Sequence, residues 1–481
     1  MHALFSRQSM LGLCAAFLFS ISLACGGGSN GNTANNGAPA PGGANPGPGG
    51  TGSTTAGTST GSGTTTGTGT TTGSGTGTGG GTTAGTTTAG GGTGTGTGGS
   101  TSGGGSGSGT GGGTGGNGSS NGIGYLYVAN TGSEANPPGS ISGFAIDSAT
   151  GALTPVPGSP FAGDSSPNVI GSDPHGRFVF VGEAEQPIGV RGSNCNGHFS
   201  VLLSERIDAA SGKLTLADHK TLAANCVSSI AVDPTGTFVY AGMMSLSGGF
   251  TDGVIQGFTV SSSGVLTEVP GSPFQVHGVP AALAVHPNGK FVYGASNAGL
   301  QVFSRDMITG ALLQTGNFNN PFVSLAISPA GNFMLTGDST NSRIMAWNID
   351  PNTGAATVIA NDTTLPASLP LSIAADPLGS FFAATENSGS PPMNGGISII
   401  TFSLQNGGQM AKTPGSPFTT RPDAVGVAFD PAGKFIFSVH GLDNSISAFV
   451  LDRTSGKLTP ASGASTVSSQ FPTSLTTVKA P

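Results

Sequence analysis

The sequence predicts an all-β fold, a seven-bladed β-propeller, and three observations support it. The first is a turn of the form Asp-Pro-x-Gly, or a close variant, that recurs after residue 122 with its prolines 42 to 60 residues apart. A four-stranded antiparallel blade needs about 40–50 residues, so this period indicates propeller blades. The turns are Asp173–Gly176, Asp233–Gly236, His286–Gly289, Ser328–Gly331, Asp376–Gly379 and Asp430–Gly433.

The second observation concerns the two ends of the repeat region. The run Phe471–Val478 is typical of the first strand of a blade, yet only three residues follow it. The run Tyr125–Asn130 is typical of a second strand, yet no suitable first strand precedes it. Pairing the two runs completes a seventh blade and removes the sheet edges of an open ring. We therefore expect residues 123–481 to form a ring closed by its terminal strands.

The third observation is the number of predicted third strands, which is seven. Their alternation of apolar and polar residues is typical of half-buried strands. They are predicted at Ile141–Asp147, His198–Ile207, Val254–Val260, Leu300–Ser304, Ile344–Asp350, Ile397–Ser403 and Ile446–Asp452.

The predicted first strands are rich in small and β-branched residues, as in Ser229–Val232 and Ala282–Val285. Innermost strands crowd around a narrow axis, where bulky side chains are costly. The sequence Gly-Ser-Pro-Phe ends three of the predicted fourth strands, at residues 158, 271 and 415. We interpret it as a turn that carries an aromatic plug between blades.

Residues 1–25 are predicted to be a signal peptide rather than part of the fold. Arg7 precedes the apolar run Leu11–Leu23, which is too short to span a membrane comfortably. The ending Leu23-Ala24-Cys25 resembles a bacterial lipoprotein signal, which implies lipidation of Cys25 and an outer-membrane or cell-surface location. An ordinary secretory signal cleaved near Ala24 is the alternative.

Residues 26–122 hold no charged or aromatic residue and are mostly Gly, Thr, Ser, Ala and Asn. We expect a disordered tether with an r.m.s. span of roughly 50–60 Å.

The charge of the chain argues against nucleic acid as a partner. All 22 acidic residues and all but one of the 15 basic residues follow residue 122, so the predicted propeller carries 14 − 22 = −8. No basic run is present, and nucleic-acid binding depends on one. No phosphate loop and no metal-binding Cys or His spacing is found either, so we expect no cofactor and no metal.

Two cysteines remain after the predicted signal peptide and lipid site, Cys195 and Cys226. Both are predicted in loops on the same face of the propeller, so we expect a disulfide between them. It would close a loop of about 30 residues and contribute on the order of 3 kcal/mol. Two free thiols are the alternative.

Several motifs resemble the seven-bladed lactonase propellers, the relatives of 6-phosphogluconolactonase and muconate cycloisomerase. The similar runs are Tyr127–Asn130, Ile141–Asp147, Thr150–Thr154, Gly158–Phe161 and His286–Tyr293. The resemblance implies the propeller fold over residues 123–480 and, by family precedent, hydrolysis of a lactone ring. The enzymes of this family carry a Gly-Pro-Arg-His run at one first strand and a Glu after the next strand. Here Val279–Ala282 and Asn297 stand at those places.

Other polar residues are predicted on the face built from the loops between second and third strands and between blades. We take Glu183, His440 and Asp443 as candidate catalytic residues, since a carboxylate or an imidazole can transfer protons. The wider set is Glu183, Glu185, Arg191, His198, His277, Asp338, Arg343, Glu386, Arg421, Asp423, His440 and Asp443.

The sequence leaves two functions open. One is a binding or scaffold module of the cell envelope that contacts protein or glycan and is held to the lipid membrane by its acylated N-terminus. The other is a hydrolase that opens a small extracytoplasmic lactone with regrouped acid and base residues.

Overall fold

The structure is a computed structural model. It describes residues 122–132, 139–184, 200–223, 225–244, 252–338, 340–362, 369–386, 398–404, 409–469 and 471–480. The predicted signal peptide with Cys25, residues 26–121 of the predicted tether, and Cys195 lie outside these residues. Gly122, the last residue of the predicted tether, instead begins the first strand. Within the described residues, no helix is long and apolar enough to cross a bilayer.

Seven antiparallel sheets, numbered here as blades 1 to 7, make up the described fold. Blade 1 contains β1 (Gly122–Asn130), β2 (Ser140–Asp147), β3 (Leu153–Pro155), β4 (Phe161–Ala162) and β31 (Pro472–Lys479). Blade 2 contains β5 (Pro167–Ser172), β6 (Phe178–Ala184), β7 (Ser200–Ile207) and β8 (Leu214–Thr221). Blade 3 contains β9 (Asn225–Val232), β10 (Phe238–Met244), β11 (Asp252–Val260), β12 (Leu266–Glu268) and β13 (Phe274–His277).

The remaining blades follow in chain order. Blade 4 contains β14 (Pro280–Val285), β15 (Phe291–Ser296), β16 (Gly299–Arg305) and β17 (Leu312–Phe318). Blade 5 contains β18 (Ser324–Ile327), β19 (Phe333–Asp338), β20 (Arg343–Ile349) and β21 (Ala356–Asp362). Blade 6 contains β22 (Ile373–Ala375), β23 (Phe381–Glu386), β24 (Ser398–Leu404), β25 (Met410–Lys412) and β26 (Phe418–Thr419). Blade 7 contains β27 (Ala424–Phe429), β28 (Phe435–His440), β29 (Ser445–Leu451) and β30 (Leu458–Val467).

The two ends of the propeller pair as predicted. Strand β1 lies between β2 and β31, with Val128 opposite Leu475 and Tyr127 opposite Thr476. The inner strands β31, β5, β9, β14, β18, β22 and β27 each contact the next, and β27 contacts β31. The ring is therefore closed with seven blades, and the seven predicted third strands correspond to β2, β7, β11, β16, β20, β24 and β29.

The recurring Asp-Pro-x-Gly turns join inner strands to second strands. In blade 3 the amide of Gly236 donates to the carbonyl of Asp233 at 2.9 Å, and Gly236 has a φ of 63°. The Asp233 carboxylate accepts the amides of Thr237 and Phe238, both at 2.8 Å. A glycine is needed because this φ is strained for residues with a Cβ. We call the side of the ring that carries these turns the turn face, and the opposite side the loop face.

His286 replaces the aspartate in blade 4 and also serves the turn, as predicted. Its Nδ1 accepts the amide of Asn288 at 3.1 Å. Its Nε2 lies 2.8 Å from the carbonyl of Gly331 in the turn of blade 5, so the imidazole also links two blades.

The hydrophobic core lies between the blades. Seven clusters of buried side chains are present among the described residues, one at each contact between adjacent blades, which we call a seam. Trp347 is 2 % exposed at the seam of blades 4 and 5, and its Nε1 donates to Thr336 at 2.8 Å.

Tyrosine hydroxyls connect second strands to the neighbouring blade. Tyr127, Tyr240 and Tyr293 each donate from the phenol oxygen to a glycine carbonyl in the next blade, at 2.7 Å in all three cases. The acceptors lie in equivalent turns between third and fourth strands, at Gly212, Gly310 and Gly354. Equivalent bonds therefore join blade 1 to blade 2, blade 3 to blade 4 and blade 4 to blade 5.

The Gly-Ser-Pro-Phe segments interrupt the outer strands of blades 1, 3 and 6. In each, the serine hydroxyl accepts an amide of the third strand, as Ser159 does from Gly143 at 2.9 Å. The phenylalanine then packs partly buried on a seam cluster, as Phe161, Phe274 and Phe418 do. The predicted turn with an aromatic plug is confirmed.

Candidate functional site

The inner strands surround a central channel that contains a cavity of about 340 Å³. All seven blades contribute to its wall. Nearest the turn face, each blade contributes one aliphatic residue, so the cavity ends on an apolar ring. The ring consists of Ile170, Ile230, Leu283, Leu325, Ile373, Val427 and Leu475.

A second ring of wall residues lies closer to the loop face, two positions before the aliphatic residue on each inner strand. Its polar and apolar members lie on different blades. Blades 1 to 3 contribute Thr473, Asn168 and Ser228, which we call the polar arc. Blades 4 to 7 contribute the apolar arc, which consists of Ala281, Val323, Leu371 and Val425. No Asp, Glu, His, Lys or Arg is among the described residues that line this cavity.

Hydroxyl and amide side chains of the inner strands connect neighbouring blades across the channel wall. Ser229 donates to the Pro280 carbonyl at 2.7 Å, and Ser324 donates to the Pro370 carbonyl at 2.6 Å. Similar bonds are present at six of the seven seams in the described part of the chain. Adjacent inner strands belong to different sheets, so these side chains supply the bonds that a backbone ladder would otherwise make.

Seven residues stand at equivalent places at the end of the second strands, one strand further from the axis. All are at most 5 % exposed and none lines the channel cavity. They are Asn130, Glu183, Met243, Ser296, Asp338, Glu386 and His440. This ring contains four of the predicted loop-face residues and places them between blades.

Asp338 has a structural role in this ring. Its carboxylate accepts from the amide side chains of Asn320 and Asn341, each at 2.8 Å, and from Arg343 Nε at 2.8 Å. Burial raises the pKa of Asp338, but the hydrogen bonds outweigh it and hold the pKa below its usual value. Asp338 therefore remains an ionised anchor of the loop between blades.

Glu183 lies at the seam of blades 1 and 2 and is fully buried. Its Oε2 accepts the amide of Ser165 at 2.9 Å, whereas Oε1 has no hydrogen-bond partner. Burial raises the pKa of Glu183 to about 7, against the lowering effect of the Ser165 amide. The carboxyl is thus poised between its neutral and ionised forms near neutral pH.

Glu205 shares this seam with Glu183 and was not predicted from the sequence. It is 7 % exposed, and burial together with the charges of Glu183 and Asp164 raises its pKa to about 7. Asp164 itself pairs with His219 Nε2 at 3.1 Å near the surface. The seam therefore holds two carboxyls that disfavour each other's ionisation.

His440 lies at the seam of blades 6 and 7 and is also fully buried. Its Nε2 is 2.9 Å from Ser447 Oγ and 3.3 Å from Thr420 Oγ1, and Nδ1 has no hydrogen-bond partner. Burial lowers the pKa of His440 to about 4, and the nearby charge of Asp443 only partly opposes this. The imidazole is therefore neutral above this pH.

Asp443 is the exposed member of the predicted set. It accepts from Arg421 Nη1 at 2.6 Å and from Ser445 Oγ at 2.5 Å. Burial works against ionisation of Asp443, but these hydrogen bonds outweigh it and lower its pKa. The structure thus brings His440 and Asp443 into one region of blade 7, while Glu183 lies on the far side of blade 1.

The other predicted residues are dispersed. Glu386 accepts a short hydrogen bond from Ser398, and Asp423 is buried with a φ of 63°. His277 is exposed at the end of β13. Glu185, Arg191 and His198 lie outside the described residues, and within those residues no three metal-binding side chains form a cluster.

The positions of the family's enzymatic pair carry no reactive group here. Ala281 and Ala282 line the channel. Asn297 Oδ1 accepts the amide of Val279 at 2.8 Å and so fixes the entry to β14. Cys226 lies in the channel wall and is disulfide-bonded, while its predicted partner Cys195 lies outside the described residues.

Sequence reasoning missed the polar arc as a group. A signal for it exists, because Asn168 and Thr473 directly follow the prolines that open β5 and β31. Residues after such a proline lie on an inner strand and therefore beside the channel.

No known family model matches the chain, and no curated relative matches it. Several solved structures share its fold. One is a Bacteroides fragilis protein that is provisionally assigned as a 6-phosphogluconolactonase. It is 15% identical to this chain with a TM-score of 0.58, and the match covers 74% of this chain and 98% of the Bacteroides chain. A Pseudomonas aeruginosa periplasmic gluconolactonase is 19% identical with a TM-score of 0.57, over 74% of this chain and 99% of its own. The chain is therefore a lactonase-like propeller in fold, and at these identities the likeness does not extend to its chemistry.

Proposed function

We propose that the chain is a binding module of the cell envelope that holds a partner or ligand at its loop face and channel mouth. One observation carries this proposal. In the described channel wall no side chain can act as a general acid or base. A residue that transfers protons must reach its substrate within hydrogen-bond distance.

The ionisable residues at the ends of the second strands, one strand further from the axis, do not supply the missing acid or base to the channel. Asp338 is surrounded by hydrogen-bond donors, and His440 Nε2 is engaged by Ser447. Each lies in a seam rather than in the channel. A propeller of this kind is suited to recognition, in which shape and hydrogen bonding suffice.

We further propose that the module is held outside the cytoplasm by a lipid on Cys25 and by the tether of residues 26–122. The disulfide of Cys226 supports an oxidising compartment. The chain enters the propeller at Gly122, which is at the turn-face end of β1. Attachment at that point would leave the loop face free for an envelope protein or glycan.

Hydrolysis of a lactone is the second candidate. It is favoured by the fold shared with a periplasmic gluconolactonase and by Glu183, whose pKa of about 7 would suit proton transfer. Glu183 would have to become accessible to its substrate for this role.

The two candidate functions can be separated by incubating the purified protein with a series of sugar lactones. Titration of the released acid then measures lactone hydrolysis. We expect no turnover above the spontaneous rate, and retention of envelope glycans or proteins on a column of immobilised protein. Turnover that is abolished by Glu183→Gln, but not by the surface change Glu268→Gln, would reverse the assignment.

A further inference from the structure

Four exposed apolar side chains lie at the outer edge of blades 4 and 5, beside the turn face. Met307 and Ile308 are in the turn between β16 and β17, Leu313 is the second residue of β17, and Val358 is on β21. Ile308 is 89 % exposed and Leu313 69 %, and about half of each of the other two is exposed. These four are half of the eight large apolar side chains that are exposed in the described part of the chain, so they form a group rather than a scatter. We call them the apolar corner.

Strand register shows why the two blades share this corner. Leu313 pairs with Ser304, two residues after Val302, so it lies on the side of blade 4 that faces blade 5. Val358 pairs with Trp347, which packs in the seam of these two blades, so it lies on the side of blade 5 that faces blade 4. The apolar corner therefore spans the outer end of one seam.

The charged groups beside the corner favour contact with a lipid surface. The Asp306 carboxylate accepts the amides of Ile308 and Thr309, at 2.9 and 2.8 Å, and is thus held against its own turn. Lys290 is exposed, and its carbonyl accepts the amide of Arg305 at 2.8 Å, which places this cation next to the turn. An apolar tip with a lysine beside it suits the boundary between acyl chains and headgroups.

The size of the corner argues against a protein as its occupant. A stable protein interface takes about 20–30 residues from each partner. Four side chains fall far short of that number. A contact this small becomes effective where a second attachment already holds the two surfaces close to each other.

The chain supplies such an attachment on the same face. Residues 1–121 lie outside the structure and join the propeller at Gly122, at the turn-face end of β1 in blade 1. Blade 1 and the seam of blades 4 and 5 lie on opposite sides of the seven-membered ring. A lipid on Cys25, with a tether that spans roughly 50–60 Å, would keep the turn face within reach of the bilayer.

We propose that the apolar corner inserts into the headgroup boundary of the membrane that holds the lipid anchor, so that the turn face lies against the bilayer and the loop face points away from it. This inference rests on the proposed function and adds the orientation of the propeller. Two contacts on opposite sides of one face keep that face parallel to the membrane. The loop face is then presented to partners in the envelope.

Tryptophan fluorescence of the full-length protein in vesicles tests the orientation. Ile308→Trp places a reporter in the corner. Leu442→Trp is the matched control, because Leu442 is about half exposed and lies between β28 and β29 on the loop face. The native Trp347 is buried and gives both variants the same background. The vesicles contain phosphatidylethanolamine and phosphatidylcholine, with or without bromine on the acyl chains. We expect bromine to quench the Ile308→Trp protein several-fold more than the Leu442→Trp protein.

The outcomes separate this inference from the function on which it rests. Equal quenching of the two variants in a lipidated protein would overturn the orientation and leave the anchored binding module standing. Mass spectrometry shows whether Cys25 carries a lipid; stronger quenching of the Ile308→Trp variant in a protein without lipid would support the corner and sink the anchor. A dimer in light scattering that Ile308→Ser converts to a monomer would show that a second copy covers the corner, and would also overturn the proposal.

Discussion

Replacement of Glu183 by Gln should stabilise the protein at alkaline pH. Burial raises the pKa of Glu183 to about 7 from a reference value of 4.5. Each pKa unit corresponds to about 1.4 kcal/mol, so keeping this carboxyl ionised above pH 7 costs on the order of 3 kcal/mol. A glutamine of the same shape avoids that cost.

The direction with pH follows from the sign of the shift. A carboxyl with a raised pKa in the folded state contributes its full stability below about pH 4.5 and loses it as pH rises through 7. Glutamine still accepts the Ser165 amide, as the neutral carboxyl does, and the raised pKa already includes the stronger bond that the carboxylate makes. We therefore expect Glu183→Gln to gain about 3 kcal/mol at pH 8 and almost nothing at pH 4.5.

Urea unfolding of wild type and variant at pH 4.5, 6 and 8 measures the effect as a difference in free energy of unfolding. Glu268→Gln is the matched control, because it removes the same charge from an exposed position on β12. Its stability should change little with pH relative to wild type. Equal behaviour of the two variants at all three pH values would refute the assignment of Glu183 as a buried, proton-binding carboxyl.

Three further predictions concern the seams and the closure of the ring. Tyr240→Phe should lower the free energy of unfolding by about 1–3 kcal/mol in urea titrations, because it leaves the buried carbonyl of Gly310 without its donor; an unchanged midpoint would contradict the role of this bond. His440 should remain neutral down to about pH 4 in an NMR titration of its ring protons, because burial lowers its pKa. The neutral imidazole contributes its full share to the stability of the fold above the unfolded pKa of about 6.5, and this contribution is lost as the pH falls through 4. Protonation near pH 6.5 would show that the imidazole is not buried. Deletion of residues 472–481 removes β31 and should expose the edge of β1. We expect the truncated protein to aggregate in light-scattering measurements, because an exposed strand edge pairs with other chains. A truncated protein that is monomeric and unfolds cooperatively would refute closure of the ring by this strand.

The propeller was predictable because its signals are local. Turn spacing, strand alternation and the complementary runs at the two ends need no knowledge of distant contacts. The pairing of the run Tyr125–Asn130 with the run Phe471–Val478 follows from them, since each run lacks the partner that the other supplies.

The site was less predictable because it depends on which way each side chain points. The sequence places Glu183 at the loop-face end of a strand, and that position is correct. Alternation along β6 sets Glu183 on the same side as Val179 and Val181, both of which are buried against blade 1. Counting that alternation would have indicated a seam residue rather than a channel residue.

The closure of the ring also constrains where chemistry can lie. Inner strands of adjacent blades cannot share a backbone ladder, so Ser, Thr and Asn side chains such as Ser229 and Ser324 connect them through hydrogen bonds to carbonyls. A charged side chain at these positions would have to leave the seam and enter the channel, and the bond between blades would be lost. An enzyme on this scaffold could place an acid or a base at the axis without this loss only where the inner strand makes no such bond, as at Ala281 and Ala282. This chain retains the bonds at six of seven seams in its described part, and the two alanines supply neither an acid nor a base to the channel.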